Sequence, residues 1–216
     1  MPALLANPLP PASDALPSNA VAPVHHGHSY PRHLEKIALN LHPGQIGVER
    51  ERPLATLLGS CVAVCLYDQQ LRLFGMNHFL LPHVHKRTST LDANLAGMAA
   101  MDNLINRMLK QGAAWERLRA KAFGGANLLN LRRGLQAGEA NIRFASDWLA
   151  SERIPLLACD WGGEFARKIV ADPATGDVYC RRITPLPIQE HQLMRAEVLY
   201  QHQLQKELEA RTIDFF

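Results

Sequence analysis

The stretch Thr56-Leu57-Leu58-Gly59-Ser60-Cys61-Val62-Ala63-Val64-Cys65, followed by Gly75-Met76-Asn77-His78, decides how this chain is read. It belongs to two apolar, β-rich runs, Leu54–Leu66 and Leu73–Leu81, with the polar Asp68-Gln69-Gln70 between them and Gly59 breaking the first. Apolar runs of this length bounded by turn residues read as buried strands. Paired as a hairpin with a two-residue loop at Gln69-Gln70, they set Cys61 opposite His78, Cys65 opposite Phe74 and Leu66 opposite Leu73. Facing residues of an antiparallel pair share one side of the sheet, with Cβ atoms about 4.5–5.5 Å apart. That separation suits a thiol and an imidazole that exchange a proton.

The chemistry favours these residue types. A carboxamide is a poor electrophile, and a thiolate beside a histidine is a strong nucleophile. Attack on an amide carbon produces an oxyanion, and the small residues Gly59 and Ser60 let backbone N–H groups approach it. Asn77 is grouped with them as a substrate or oxyanion residue. His78 then protonates the departing ammonia and activates the water that cleaves the thioester. A buried cysteine in an apolar strand is more often a small hydrophobe. That reading is taken for Cys65, within Val-Cys-Leu, and for Cys159 and Cys180. For Cys61 the residues alone leave filler and nucleophile evenly balanced, and a redox or metal role for Cys61 with Cys65 is a third reading.

Outward from this centre, the apolar spacing Leu91, Leu95, Met98, Met101, Ile105, Met108, Leu109 predicts a helix over 91–110, started by Ser89 or Thr90 and ended by Gly112. A short strand, Lys121–Gly124, leads into a Gly-Gly turn. A second helix is expected over Asn141–Glu152, with Ile142, Ala145, Trp148 and Leu149 on one face. Strands follow at Pro155–Cys159, Ala166–Ala171 and Val178–Ile183, the last two joined by the Asp-Pro-Ala-Thr-Gly-Asp turn at 172–177. Ile188–Arg211 reads as a polar helix with a thin stripe of Leu193, Ala196, Tyr200, Leu204 and Leu208, a packed surface helix or a partner-binding one. Residues 1–32, rich in Pro and Ala, read as a disordered tail. Its histidines, His25, His26 and His28, are not taken as a metal site, and His83 and His85 read as loop residues. Three parts are therefore expected: the tail 1–32, a domain over 33–186 and a helical extension over 187–216.

The chain has 216 residues, 23 of them Lys or Arg and 20 Asp or Glu, for a formal charge of +3. That charge is too mild to suggest a nucleic-acid partner. No signal-peptide pattern and no apolar run long enough to span a bilayer stand out, so a cytoplasmic location without membrane insertion is expected. Four cysteines, at 61, 65, 159 and 180, are then expected as free thiols. No cofactor motif is found, and thiol–imidazole hydrolysis needs none.

The motifs LLGSCVAVCLYD at 57–68, GMNHFLLP at 75–82, MLKQGA at 108–113, AKAFGGAN at 120–127, GEANIRFASDWLASERIPLLACDWGG at 138–163 and DPATGDVYCRR at 172–182 occur in order. Together they resemble the CheD family of chemoreceptor glutamine deamidases. The resemblance implies an α/β (α+β) fold, a mixed β-sheet sandwich with helices packed on the outside, similar to glutamine-deamidating toxins. It implies hydrolysis of glutamine side-chain amides, and in some members of methyl esters, on helices of methyl-accepting chemotaxis receptors. By resemblance Cys61 is the nucleophile, His78 the histidine of the site, and Thr56 the threonine that orients it. It also implies, for some members, a CheC-type phosphatase bound through Phe123, Gly124 and Gly125. A non-catalytic scaffold of the same fold, and transfer of the acyl group to an amine, are the alternatives.

Overall fold

A computed structural model describes residues 24–26, 32–81, 90–127, 132–183 and 187–213. The elements run β1 (Val24–His26), α1 (Arg32–Ile37), β2 (Leu39–Leu41), β3 (Ile46–Glu49), β4 (Leu54–Leu58), β5 (Val62–Asp68), β6 (Leu73–Asn77), α2 (Thr90–Lys110), β7 (Leu118–Gly124), α3 (Arg132–Ser151), β8 (Leu156–Trp161), β9 (Ala166–Asp172), β10 (Asp177–Ile183) and α4 (Pro187–Ile213). They build two five-stranded mixed sheets, ordered β1-β10-β9-β4-β2 and β3-β6-β5-β7-β8. This is the mixed-sheet α+β architecture expected above.

Three apolar layers hold it together. Leu54, Leu58, Ile169, Ala171 and Val178 of the first sheet meet Ala63, Cys65, Phe74, Met76 and Phe123 of the second. On the other face of the second sheet, Val62, Val64, Leu66 and Ala122 pack against Met101, Leu104 and Met108 of α2 and Ala145, Trp148 and Leu149 of α3. The strict alternation along β5 explains why it reads as one apolar run: both of its faces are covered. On the outer face of the first sheet, Leu34 of α1 packs on Ala55 and Val170. Asp160 of β8 accepts from Arg167 of β9 and Arg182 of β10, each with an Nη2–Oδ1 distance of 2.9 Å, and so ties one sheet to the other.

The hairpin between β5 and β6 differs from the expectation. Cys65 pairs with Met76, Leu66 with Gly75, Tyr67 with Phe74 and Asp68 with Leu73. The register is displaced by two residues because the loop takes in Gln69–Arg72. Asp68 Oδ1 accepts from the N–H groups of Gln70 (3.1 Å) and Leu71 (3.4 Å), and Arg72 adopts a positive φ of 49°. Gln-Gln alone lacks the left-handed preference of a tight hairpin turn; the aspartate supplies the side-chain acceptor that opens the loop instead. A displacement of two keeps every side chain on its predicted face.

Other differences are smaller. α3 begins well before Asn141, and Met98 of α2 is 43% exposed while Leu104 takes its place in the core. Cys159 is exposed rather than a core thiol, because β8 is an edge strand. Within the segment read as a tail, Val24–His26 pairs in parallel with β10. His28, His83, His85 and Ser89 lie outside the described residues, as do the side chains of His25, His26, Leu193 and Leu208.

Candidate active site

β4 lies in one sheet and β5 in the other, so the chain must change sheets at Gly59-Ser60-Cys61. That crossing forms a tight turn whose carbonyls are all held inward. Gly59 O accepts from Ala126 N (2.7 Å), Ser60 O from Asn141 Nδ2 (2.9 Å) and Cys61 O from Gly125 N (2.7 Å). With the carbonyls pinned, the N–H groups of Ser60 and Cys61 face the opposite way. Two adjacent backbone N–H groups so arranged form an anion cradle of the kind that stabilises an oxyanion.

Gly124 makes this turn possible. Its φ is +108°, and a Cβ built on it would stand 2.2 Å from Cys61 O. Phe123, Gly124 and Gly125, which the resemblance implies for partner binding, are buried here and form the bed of the Gly59-Ser60-Cys61 turn. Asn77 lines a cleft beside His78. Its Oδ1 accepts from Val64 N at 2.9 Å and its Nδ2 donates toward Met101 Sδ at 3.2 Å, so its amide is engaged under α2 and away from the turn.

His78 and Cys61 share a face. Val62 and Phe79 exchange both backbone hydrogen bonds, at 3.0 and 2.9 Å. Carried one step past that bridge, the register sets Cys61 opposite Leu80 and makes His78 its diagonal neighbour. Diagonal residues on one face stand about 7–8 Å apart, and in this structure the Cys61 thiol makes no hydrogen bond to His78 Nε2. The thiol and imidazole are thus diagonal rather than directly opposed as expected, again through the two-residue displacement.

Thr56 sets the state of the imidazole. Its Oγ1 lies 2.8 Å from the Leu41 carbonyl and 2.8 Å from His78 Nδ1. A carbonyl only accepts, so the hydroxyl proton goes to Leu41 and Oγ1 accepts from Nδ1–H. The other nitrogen, Nε2, then carries the lone pair, and it is buried without a hydrogen-bond partner among the described residues. An unpaired buried acceptor is costly, and in a native structure it calls for an explanation.

Burial, opposed by the backbone contact to Leu41, pushes the His78 pKa down from 6.5 to about 3. The unfolded chain therefore binds the proton first, and this residue's contribution to stability is lost as pH falls from 6.5 toward about 3. Urea unfolding across that window is expected to show a steeper loss of stability for wild type than for His78→Gln. Equal slopes would mean that the imidazole is not held neutral.

Cys61 is fully buried, and its thiol pKa is raised well above the ordinary value, first by burial and then by the charge and hydrogen bond of Glu197. Glu197, on α4, is a residue that the sequence reading missed. Its Oε1 accepts from Ser60 N (2.9 Å) and Cys61 N (3.4 Å), and its Oε2 from Ser60 Oγ (2.7 Å). Nothing local distinguishes it from the other acidic residues of α4. Asn141 was also missed as a site residue. It is fully buried, and besides holding Ser60 O it accepts from Leu81 N at 2.8 Å. A lone polar residue at the buried face of a predicted helix was the available signal.

Beside His78 a cleft of about 230 Å³ opens between α2 and α4, lined by Gly44, Gln45, Ala96, Asn103 and Tyr200 among others. Among the described residues, no group of three or more His, Cys, Asp or Glu side chains is placed to hold a metal ion. Among the same residues, no helix is long and apolar enough to cross a membrane.

Residues 80–182 match the model of the family described as CheD chemotactic sensory transduction. The chain is 44% identical over 169 residues to a protein of Dechloromonas aromatica named probable chemoreceptor glutamine deamidase CheD 2, covering 77% of this chain and 86% of that one. A match of that share must include the stretch holding Cys61 and His78. A Shewanella oneidensis protein named probable chemoreceptor glutamine deamidase CheD 1 is 43% identical over 157 residues (71% of this chain, 76% of that one). A Vibrio cholerae protein named probable chemoreceptor glutamine deamidase CheD is 38% identical over 171 residues (74% and 71%). The ordered motifs, the two-sheet fold and these likenesses agree: the chain belongs to the CheD family.

Proposed function

We propose that this protein is a protein-glutamine deamidase acting on helices of chemoreceptors, with Cys61 as nucleophile, His78 as general base and acid, and Thr56 holding the imidazole. The observation that carries this reading is the buried imidazole of His78, fixed through Thr56 so that Nε2 is unprotonated and, among the described residues, without a hydrogen-bond partner. In the reaction Nε2 takes the Cys61 thiol proton, and the sulfur adds to the amide carbon of a glutamine side chain. The oxyanion formed is held by the N–H groups of Ser60 and Cys61. The imidazolium returns the proton to the amine, ammonia leaves, and water activated by His78 cleaves the thioester to give glutamate. A methyl ester would meet the same groups. The substrate proteins come from the names of the relatives, and a cytoplasmic location fits receptor helices as substrates.

The test is mass spectrometry of a cognate receptor incubated with wild type or Cys61→Ala. Glutamine-to-glutamate conversion by wild type alone is expected. Receptor binding without conversion by either form would favour the non-catalytic scaffold instead.

Thr56→Val is expected to lower kcat about 10- to 100-fold with little change in KM. The lost hydrogen bond is to a group that becomes charged in the transition state, worth about 1.5–3 kcal/mol. A change in KM alone would remove Thr56 from the proton path.

A further inference from the structure

A carboxylate in an anion cradle next to a cysteine has the shape of a deamidated product. Glu197 reaches both N–H groups of the cradle and the Ser60 hydroxyl. Two neighbours on the same face of α4 complete the seat. Three residues on, the ring of Tyr200 lies over Gly44, where a Cβ would come within 2.5 Å of it. Four residues on, Gln201 Nε2 donates to Leu81 O at 2.9 Å. The opposite face, with Val198 at 51% and Leu199 at 61% exposed, looks outward. The helix therefore seats itself by the face of Glu197, Tyr200, Gln201 and Leu204, which is centred on the site, while the apolar side chains of Val198 and Leu199 stay in solvent. A helix retained only for burial would place those two residues inward. With α4 in place, Cys61 is fully buried and no peptide side chain can reach it.

We propose that α4 occupies the groove in which a substrate helix docks, that Glu197 stands where the target glutamine's side chain is held, and that the enzyme is closed by this built-in product mimic until a receptor helix displaces it. This rests on the deamidase reading for its chemistry. The substrate class follows from the occupant: a helix that presents a glutamine to the cradle and meets the seats of Tyr200 and Gln201 with the residues three and four positions on.

Glu197→Gln in the full chain converts the mimic into a substrate. The Cys61 sulfur adds to the introduced amide carbon, ammonia leaves with the proton that His78 took from the thiol, and water restores the thiol and leaves a carboxylate. Peptide mass spectrometry is expected to find position 197 as acid in that variant. In Glu197→Gln combined with Cys61→Ala it is expected to remain amide. A second readout does not depend on catalysis. Alkylation of Cys61 by iodoacetamide, with exposed Cys159 as internal reference, is expected to be at least about tenfold faster in Glu197→Ala than in wild type, because three hydrogen bonds to a carboxylate are lost. Receptor conversion should rise in the same variant. If wild type converts receptor while the introduced amide persists and Cys61 alkylation is unchanged in Glu197→Ala, the mimic is overturned and the deamidase stands. If no form converts receptor or itself, the deamidase reading falls, and the alkylation ratio alone decides whether α4 closes the site.

Discussion

Cys61→Ala is expected to lower the initial rate of receptor deamidation by about 10⁴- to 10⁶-fold, the range seen when a nucleophile acting with a base is removed. The methyl group fits the space of the thiol, so the fold should persist and the loss should appear in kcat. His78→Ala should lose about 10²- to 10⁴-fold, the usual share of a positioned general base and acid. Because the two act as one unit, the double variant should be no slower than Cys61→Ala. The N–H groups of Ser60 and Cys61 belong to the backbone and survive both changes, so a residual rate above the uncatalysed reaction should remain. Ammonia release and receptor mass measured together check this. A Cys61→Ala rate within tenfold of wild type would remove the thiol from the mechanism.

Gly124→Ala is the second large effect, and it acts on the fold and the site at once. The backbone at Gly124 has φ +108°, a region that L side chains rarely adopt, and the added Cβ would press on Cys61 O at 2.2 Å, a backbone atom that cannot rotate aside. Strain of that kind costs about 1–3 kcal/mol, and overpacking adds about 1–3 kcal/mol, so a loss of roughly 2–6 kcal/mol is expected from urea unfolding. Variants that still fold should deamidate poorly. Cys61 O would be displaced from Gly125 N (2.7 Å), which holds the turn, and the cradle would lose its geometry. Wild-type stability and rate in Gly124→Ala would mean that the turn is not held by its glycine bed.

Local pattern carries much of this molecule. β4 and β5 are legible because they are buried on both faces, and α2 because its apolar period is long. The β9–β10 hairpin is legible because Asp172 to Asp177 is turn chemistry. Cys61 and His78 stand out because a thiol after small residues and a histidine occur where strands must be dry, and the family resemblance adds Thr56. β2 and β3 were not seen: three and four residues are too few for a period. The hairpin register was misjudged because a loop length depends on which side chain captures its N–H groups, here Asp68.

Residue order and side-chain type thus determine the longer strands, the helices and the candidate reacting groups, since these depend on neighbours within a few positions. Only the tertiary structure decides that Cys61 lies at a crossing between two sheets, that the Thr56 hydroxyl donates to the Leu41 carbonyl and so sets the tautomer of His78, and that Glu197, 136 positions along the chain, sits in the cradle beside the thiol. The first follows from how the two sheets pack and the other two are hydrogen bonds between distant segments, and no local pattern encodes which distant acceptor a buried donor will find.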